Sequence, residues 1–202
     1  MMETLEAQGH TLLTARAFAP DKTLRISPVT LKPRFNAVAT APGGAQPAKR
    51  FDPRQRSLFA AAWTLGSIAA LARGGAASTT FFETTGPGGI MDSSAMVFPV
   101  YHVLAWLAGF TDWSPLPGQL PEAVAALSVF APDGRRRLLL GNLSPEPISV
   151  KVPVNDNARV VILDETTVTR AMRQPDDFSL EESSRGPEVL LRAHAVARID
   201  FS

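Results

Sequence analysis

The sequence of 202 residues has no cysteine, which excludes disulfides, thiolate nucleophiles and thiolate metal sites and fits a reducing, cytoplasmic location. Histidine is scarce as well: His10, His102 and His194 stand far apart without metal-ligand spacing, so no metal and no cofactor is expected. Neither sign of charge is in excess, with 20 basic and 19 acidic side chains and a net charge of +1. Arg135-Arg136-Arg137 is the one block of like charge, so nucleic acid and membranes are not expected partners. No long hydrophobic run is present either. The most apolar stretch, Ser57 to Ala72, would reach about 24 Å as a helix, short of the roughly 30 Å of a bilayer core, and Thr64, Gly66 and Ser67 dilute it. The N-terminus lacks a basic start followed by an apolar core and so does not read as a secretory signal.

What is present is the composition of a folded protein, 45% hydrophobic and 19% charged, in a chain long enough for one large domain or two small ones. Leu5, Gln8, Leu12 and Ala15 lie at helical spacing, which predicts a helix from the first residues. A strand over Thr23 to Leu31 follows, with Pro28 requiring a bulge or a strand end. A long connection rich in Pro, Gly and Ala runs to Phe51. Asp52 and Pro53 then read as N-cap and first helical residue, with Gln55 completing a capping box, and Gly74-Gly75 as the stop. This second helix is apolar nearly all round, which predicts that it lies between two layers. A strand over Ser78 to Glu83 and a helix over Phe98 to Phe110 complete an alternating α/β half.

Beyond Leu120 the hydrophobic period shortens to two residues. Ala125 to Ala131 and Arg137 to Leu143 flank Pro132-Asp133-Gly134, a hairpin signal, and Ile148 to Val152, Arg159 to Leu163 and Val189 to Phe201 read as further strands. The expected architecture is therefore α/β in residues 1–118 and an antiparallel β-sandwich in residues 119–202, with a boundary in Gly118 to Pro121.

The stretch Thr79 to Gly89, TTFFETTGPGG, sets one carboxylate at the end of a β-branched and aromatic run, directly before a glycine-rich turn. Glu83 is either a surface residue at a strand end or, in a (β/α) barrel, a group on the rim where such folds carry their chemistry. Four colinear blocks, Ile26 to Thr40, Asp52 to Ala72, Ser78 to Met91 and Phe98 to Phe110, resemble the C-terminal part of the D-apionate lactonase family.

The resemblance implies a glycoside-hydrolase-like TIM barrel followed by a β-sandwich, and a hydrolase that opens a sugar lactone, D-apionolactone to D-apionate. It further implies that these blocks are the last two of eight barrel strands. The chain is then a C-terminal fragment or a split-gene product, needing an upstream barrel segment in cis or in trans. In the family, bulky and basic residues often follow the ETTG motif, where this chain has Pro87-Gly88-Gly89, which implies a missing pocket wall.

Under this resemblance Glu83 is a candidate general base, and Arg34 a candidate for binding the lactone carbonyl and the oxyanion formed on attack. Lys32, Thr30, Asn36, Thr84 and Thr85 are candidate substrate-binding residues, although turn and cap roles are open to each of them. Arg34 has the alternative of an ion pair that fixes the long loop. His102, one helical turn from Trp106, reads as a packed core histidine. Two other functions stay open: a glycoside hydrolase, which would need a second carboxylate, and a non-catalytic carbohydrate-binding or structural module.

Overall fold

The computed structural model describes residues 2–32, 51–114, 120–152, 158–180, 183–184 and 188–201. Helix α1 (Met2–Phe18) buries Leu5 and Leu12 against α2 (Leu58–Arg73). Glycines on the α2 side make room: a Cβ on Gly66 would stand 2.6 Å from Leu5 Cδ1, and one on Gly74 would stand 2.8 Å from Leu12 Cδ1. Gln8, on the same stripe of α1, accepts a hydrogen bond from the buried Ser67 hydroxyl at 2.5 Å.

Strand β1 (Arg25–Val29) pairs in parallel with β2 (Ser78–Phe81), Arg25 opposite Ser78 and Val29 opposite Phe81. The register slips between Ile26 and Val29, the stretch that holds Pro28, because proline has no N–H to give a ladder. Between the strands runs a 3-10 turn, Pro53–Arg56, followed by α2. Asp52 caps the turn as predicted, accepting from Arg54 N at 2.9 Å.

The helix, however, does not begin there. Ser57 returns to extended backbone and α2 starts at Leu58. The expected capping box is also absent: Gln55 turns inward, and its Nε2–H donates to the Gly89 carbonyl at 2.9 Å. A buried carbonyl without a partner is costly, so the side chain satisfies that acceptor across the fold and not its own cap.

Past β2 the chain breaks at Phe82, a buried residue with φ of +52°. The predicted single strand over Ser78 to Glu83 is thus two elements. A short β3 (Glu83–Thr85) pairs in parallel with β4 (Gly89–Met91), Glu83 opposite Gly89. Helix α3 (Pro99–Leu107) follows Phe98 and ends before Gly109, whose φ is +83°.

The remaining strands are β5 (Asp112–Ser114), β6 (Val124–Phe130), β7 (Arg136–Asn142), β8 (Ile148–Lys151), β9 (Arg159–Leu163), β10 (Ser183–Ser184), β11 (Glu188–Leu191) and β12 (Val196–Phe201). Six of them form an antiparallel sheet in the order β10-β9-β12-β7-β6-β5, and β8 pairs with β11 separately. Gly134, with φ of +88°, closes the predicted β6–β7 turn. The run expected over Val189 to Phe201 divides into β11 and β12 around His194, whose φ is +55°. Two short helices, α4 (Val168–Arg173) and α5 (Pro175–Leu180), are inserted between β9 and β10.

Both faces of the six-stranded sheet are covered. On one, Leu138, Leu140, Val160 and Ile199 pack with Val150, Val152, Val189 and Leu191 from the β8–β11 side. On the other, Leu127, Leu139, Leu163 and Val196 share a core with Ala61, Ala62, Leu65 and Ala69 of α2 and with Val103 and Trp106 of α3. Gly141 allows this approach, since a Cβ there would meet Leu65 Cδ2 at 3.1 Å. The opposite side of α2, through Trp63 and Phe59, packs with Phe82, Phe98 and Val29. The prediction that α2 lies between two layers therefore holds.

Candidate active site

Because β1 and β2 are parallel, their carboxyl ends open on the same side. A cleft of about 190 Å³ lies there, lined by Thr30, Leu31 and Lys32 after β1, Phe82 and Glu83 after β2, and Phe51, Asp52, Gln55, Pro87 and Gly88. Three of the sequence candidates, Thr30, Lys32 and Glu83, therefore share one cavity. Thr84 and Thr85 are exposed and lie outside its lining. Arg34 and Asn36 lie outside the described residues.

Each lining group is placed by a local cause. Thr30 donates through Oγ1 to the Lys32 carbonyl at 2.9 Å, a turn bond that fixes the exit from β1. Glu83 is exposed and stands one residue beyond the φ-positive Phe82, whose buried ring is packed in the cluster beneath. A Cβ on Gly88 would stand 3.8 Å from Glu83 Oε2, so the cleft wall opposite the carboxylate is bare backbone. Pro87 and Gly88 both line the cavity.

The structure adds a second carboxylate that the sequence reading took only as a cap. Asp52 accepts from Arg54 Nε at 3.0 Å and from Arg54 Nη2 at 2.7 Å, in addition to the backbone bond. The Arg54 bond above all, and the Lys32 charge to a smaller degree, hold the Asp52 carboxyl below the usual aspartate range against the opposing effect of burial. Arg54 in turn lies over the Phe59 ring, 4.3 Å from its centroid. Asp52 is a fixed anion and a poor proton donor. The functional signal for Asp52 and Gln55 was present in the sequence only as helix-capping chemistry, because what brings them to the cleft is the return of the chain along β2.

His102 is fully buried and bonds through Nε2 to the Ala171 carbonyl at 3.0 Å, among the rings of Tyr101, Trp106 and Phe178. It is a core histidine that ties α3 to α4, as expected. Among the described residues no group of three or more His, Cys, Asp or Glu could hold a metal ion, and no helix is long and apolar enough to cross a membrane.

Comparison with known proteins places this geometry. Residues 1–112 match the TIM barrel domain of D-apionate lactonase, and residues 121–199 match its C-terminal immunoglobulin-like domain. The chain belongs to the D-apionate lactonase family. The D-apionate lactonase of Brucella anthropi is 27% identical over 166 residues, which cover 75% of this chain and 26% of that protein. The chain thus spans about a quarter of the length of this curated relative.

Among solved structures, a conserved exported protein from Bacteroides fragilis aligns over 96% of this chain and 42% of its own, with a TM-score of 0.59 and 12% identity. A monomeric beta-xylosidase from Caulobacter crescentus covers 96% and 48%, with a TM-score of 0.56 and 14% identity. A GH30 endoxylanase from Clostridium papyrosolvens covers 98% and 46%, with a TM-score of 0.55 and 11% identity. At these identities the likeness is one of fold alone.

Proposed function

We propose that this chain is the C-terminal portion of a sugar-lactone hydrolase acting on D-apionolactone or a close relative. The observation that carries the reading is the cleft at the common carboxyl end of β1 and β2, where Glu83 and Lys32 face one cavity. Parallel barrel enzymes assemble their chemistry at that end of the strands.

Glu83 takes the proton of an attacking water. The water oxygen bonds to the lactone carbonyl carbon, the carbonyl electrons move to oxygen, and a cation stabilises the oxyanion. The intermediate collapses with cleavage of the ring C–O bond, the ring oxygen leaves as a hydroxyl with the proton returned by Glu83, and ionisation of the new carboxylic acid releases one proton. Arg34 is proposed for the oxyanion, with Lys32 as the neighbouring charge. Thr30 and Asn36 are proposed to hold substrate hydroxyls, with Thr84 and Thr85 as outer contacts. An upstream segment, in cis or in trans, supplies the remaining barrel strands and the rest of the site. The partial coverage of the Brucella anthropi relative supports this.

A glycosidase needs two carboxyl groups, one of them carrying a proton. Arg54 and the cap disfavour the protonated form of Asp52, so Asp52 is not the acid of such a pair.

The test is lactone ring opening, followed by proton release, for the 202-residue chain beside a version extended upstream in its reading frame. Turnover by the extended form supports the proposal. Turnover of aryl pentosides and not of lactone would replace it with the glycosidase, and oligosaccharide binding without turnover would replace it with a binding module.

A further inference from the structure

We infer that Gln55 is the positioning residue of Glu83, holding its loop against the start of the helix; the inference rests on the proposed role of Glu83. Gln55 is only 2% exposed and stands in the cleft wall. Its own backbone N–H donates to Asp52 O at 3.0 Å, within the capped turn, so the side chain leaves a fixed base. From there Nε2–H reaches 34 residues along the chain to Gly89 O at 2.9 Å. Gly89 is the register partner of Glu83.

The loop between them is itself tight. Gly86 N–H donates to Met91 O at 2.9 Å and Gly89 N–H to Gly86 O at 3.0 Å. A Cβ on Gly89 would meet Thr85 C at 2.8 Å and Thr84 O at 2.9 Å, so this backbone has no slack. Buried Phe82 precedes Glu83 in the chain and pinned Gly89 lies beside it in the ladder, so the backbone that carries the carboxylate is held from two directions. Gln55 supplies a side-chain bond to that assembly from the start of the helix layer. A catalytic group must be held closely, since a misplacement of about 1 Å can cost roughly a hundredfold in rate.

The experiment compares Gln55→Glu and Gln55→Met in the full-length protein. An ionised glutamate turns an acceptor toward the Gly89 carbonyl, whereas a protonated one donates an O–H there as the amide does. For Gln55→Glu, kcat should fall roughly tenfold to a hundredfold with KM little changed, and recover toward wild type as pH is lowered. For Gln55→Met the loss should be independent of pH. A purely structural glutamine would lower the melting temperature in both variants and leave kcat of the folded enzyme, and its pH profile, unaltered; that result overturns the inference.

Amide exchange provides an arm that needs no substrate. In Gln55→Met, the Gly86 and Gly89 amides should exchange about tenfold faster than in wild type while α2 amides do not change. Unchanged exchange overturns the inference on its own. Inactivity of the wild-type protein toward lactones, with loop exchange accelerated as predicted, would refute the lactonase reading and leave the clamp standing.

Discussion

The three glycines of the loop after Glu83 obey different rules, and this allows the cleft to be blocked without breaking the fold. Gly86 has φ of +101°, where any side chain is strained. Gly89 has backbone atoms 2.8 to 3.0 Å from the place a Cβ would take, so Gly89→Ala should cost about 1–3 kcal/mol by overpacking. Gly88 is the permissive one: its Cβ would find Phe51 Cβ at 3.6 Å and Glu83 Oε2 at 3.8 Å, ordinary contact distances. Gly88→Ala should therefore be neutral or stabilising, by up to about 0.4–1 kcal/mol through the lost freedom of the unfolded chain. Gly88→Leu extends the same direction into a cavity of about 190 Å³, against the carboxylate. It should keep the melting temperature within about 2 °C of wild type and lower kcat/KM by about tenfold or more, roughly 1.4 kcal/mol of transition-state binding. Thermal unfolding and lactone turnover, measured on the same samples, separate the two effects. A stable Gly88→Leu variant with wild-type turnover would show that the substrate does not occupy this cleft.

Other predictions concern the frame. Burial depresses the His102 pKa from 6.5 against the opposing bond to Ala171, and Arg198 adds to the depression. Its stabilising effect is thus complete above pH 6.5 and is lost as pH falls from there through the lower folded value, by at most about 1.4 kcal/mol per pH unit for one proton. His194 shifts in the same direction through burial, so His102→Gln should flatten the urea-unfolding dependence in that window only in part. An unchanged slope would mean that His102 does not titrate there. Leu65→Ala removes a fully buried side chain from the core shared by α2 and the six-stranded sheet and should cost about 2–5 kcal/mol, read by urea unfolding. Because that core joins both halves, wild-type unfolding should be a single transition by near-ultraviolet and far-ultraviolet dichroism; two separated transitions would contradict it.

Much of the fold is legible where the signal is local. Asp52-Pro53 marks the capped 3-10 turn that precedes α2, Pro99 marks a helix start, Pro132-Asp133-Gly134 marks a hairpin, and the all-round apolarity of α2 announces its two packed faces. The misses come from tertiary effects. Nothing local announces a positive φ at Phe82; the ring is held there by its burial with Phe98 and Trp63. Gln55 fits the capping-box pattern, yet a carbonyl distant in sequence captures its amide. Helices α4 and α5 are six residues each, too short to show a period, and rest on the burial of Ala171 and Phe178. Thr167 and the Pro175-Asp176-Asp177 start were the signals that could have found them. For the site, strand direction alone brings Thr30, Lys32 and Glu83 to one edge, whereas the cap residues enter it only through the path of the folded chain.

The most direct test of the proposed function is Glu83→Gln in the chain extended upstream in its reading frame, with kcat/KM for D-apionolactone opening followed by proton release. The account predicts a fall of about a hundredfold or more, the usual worth of a general base, with the melting temperature unchanged for this exposed side chain. A variant within about a factor of two of wild type, less than about 0.5 kcal/mol, would contradict it.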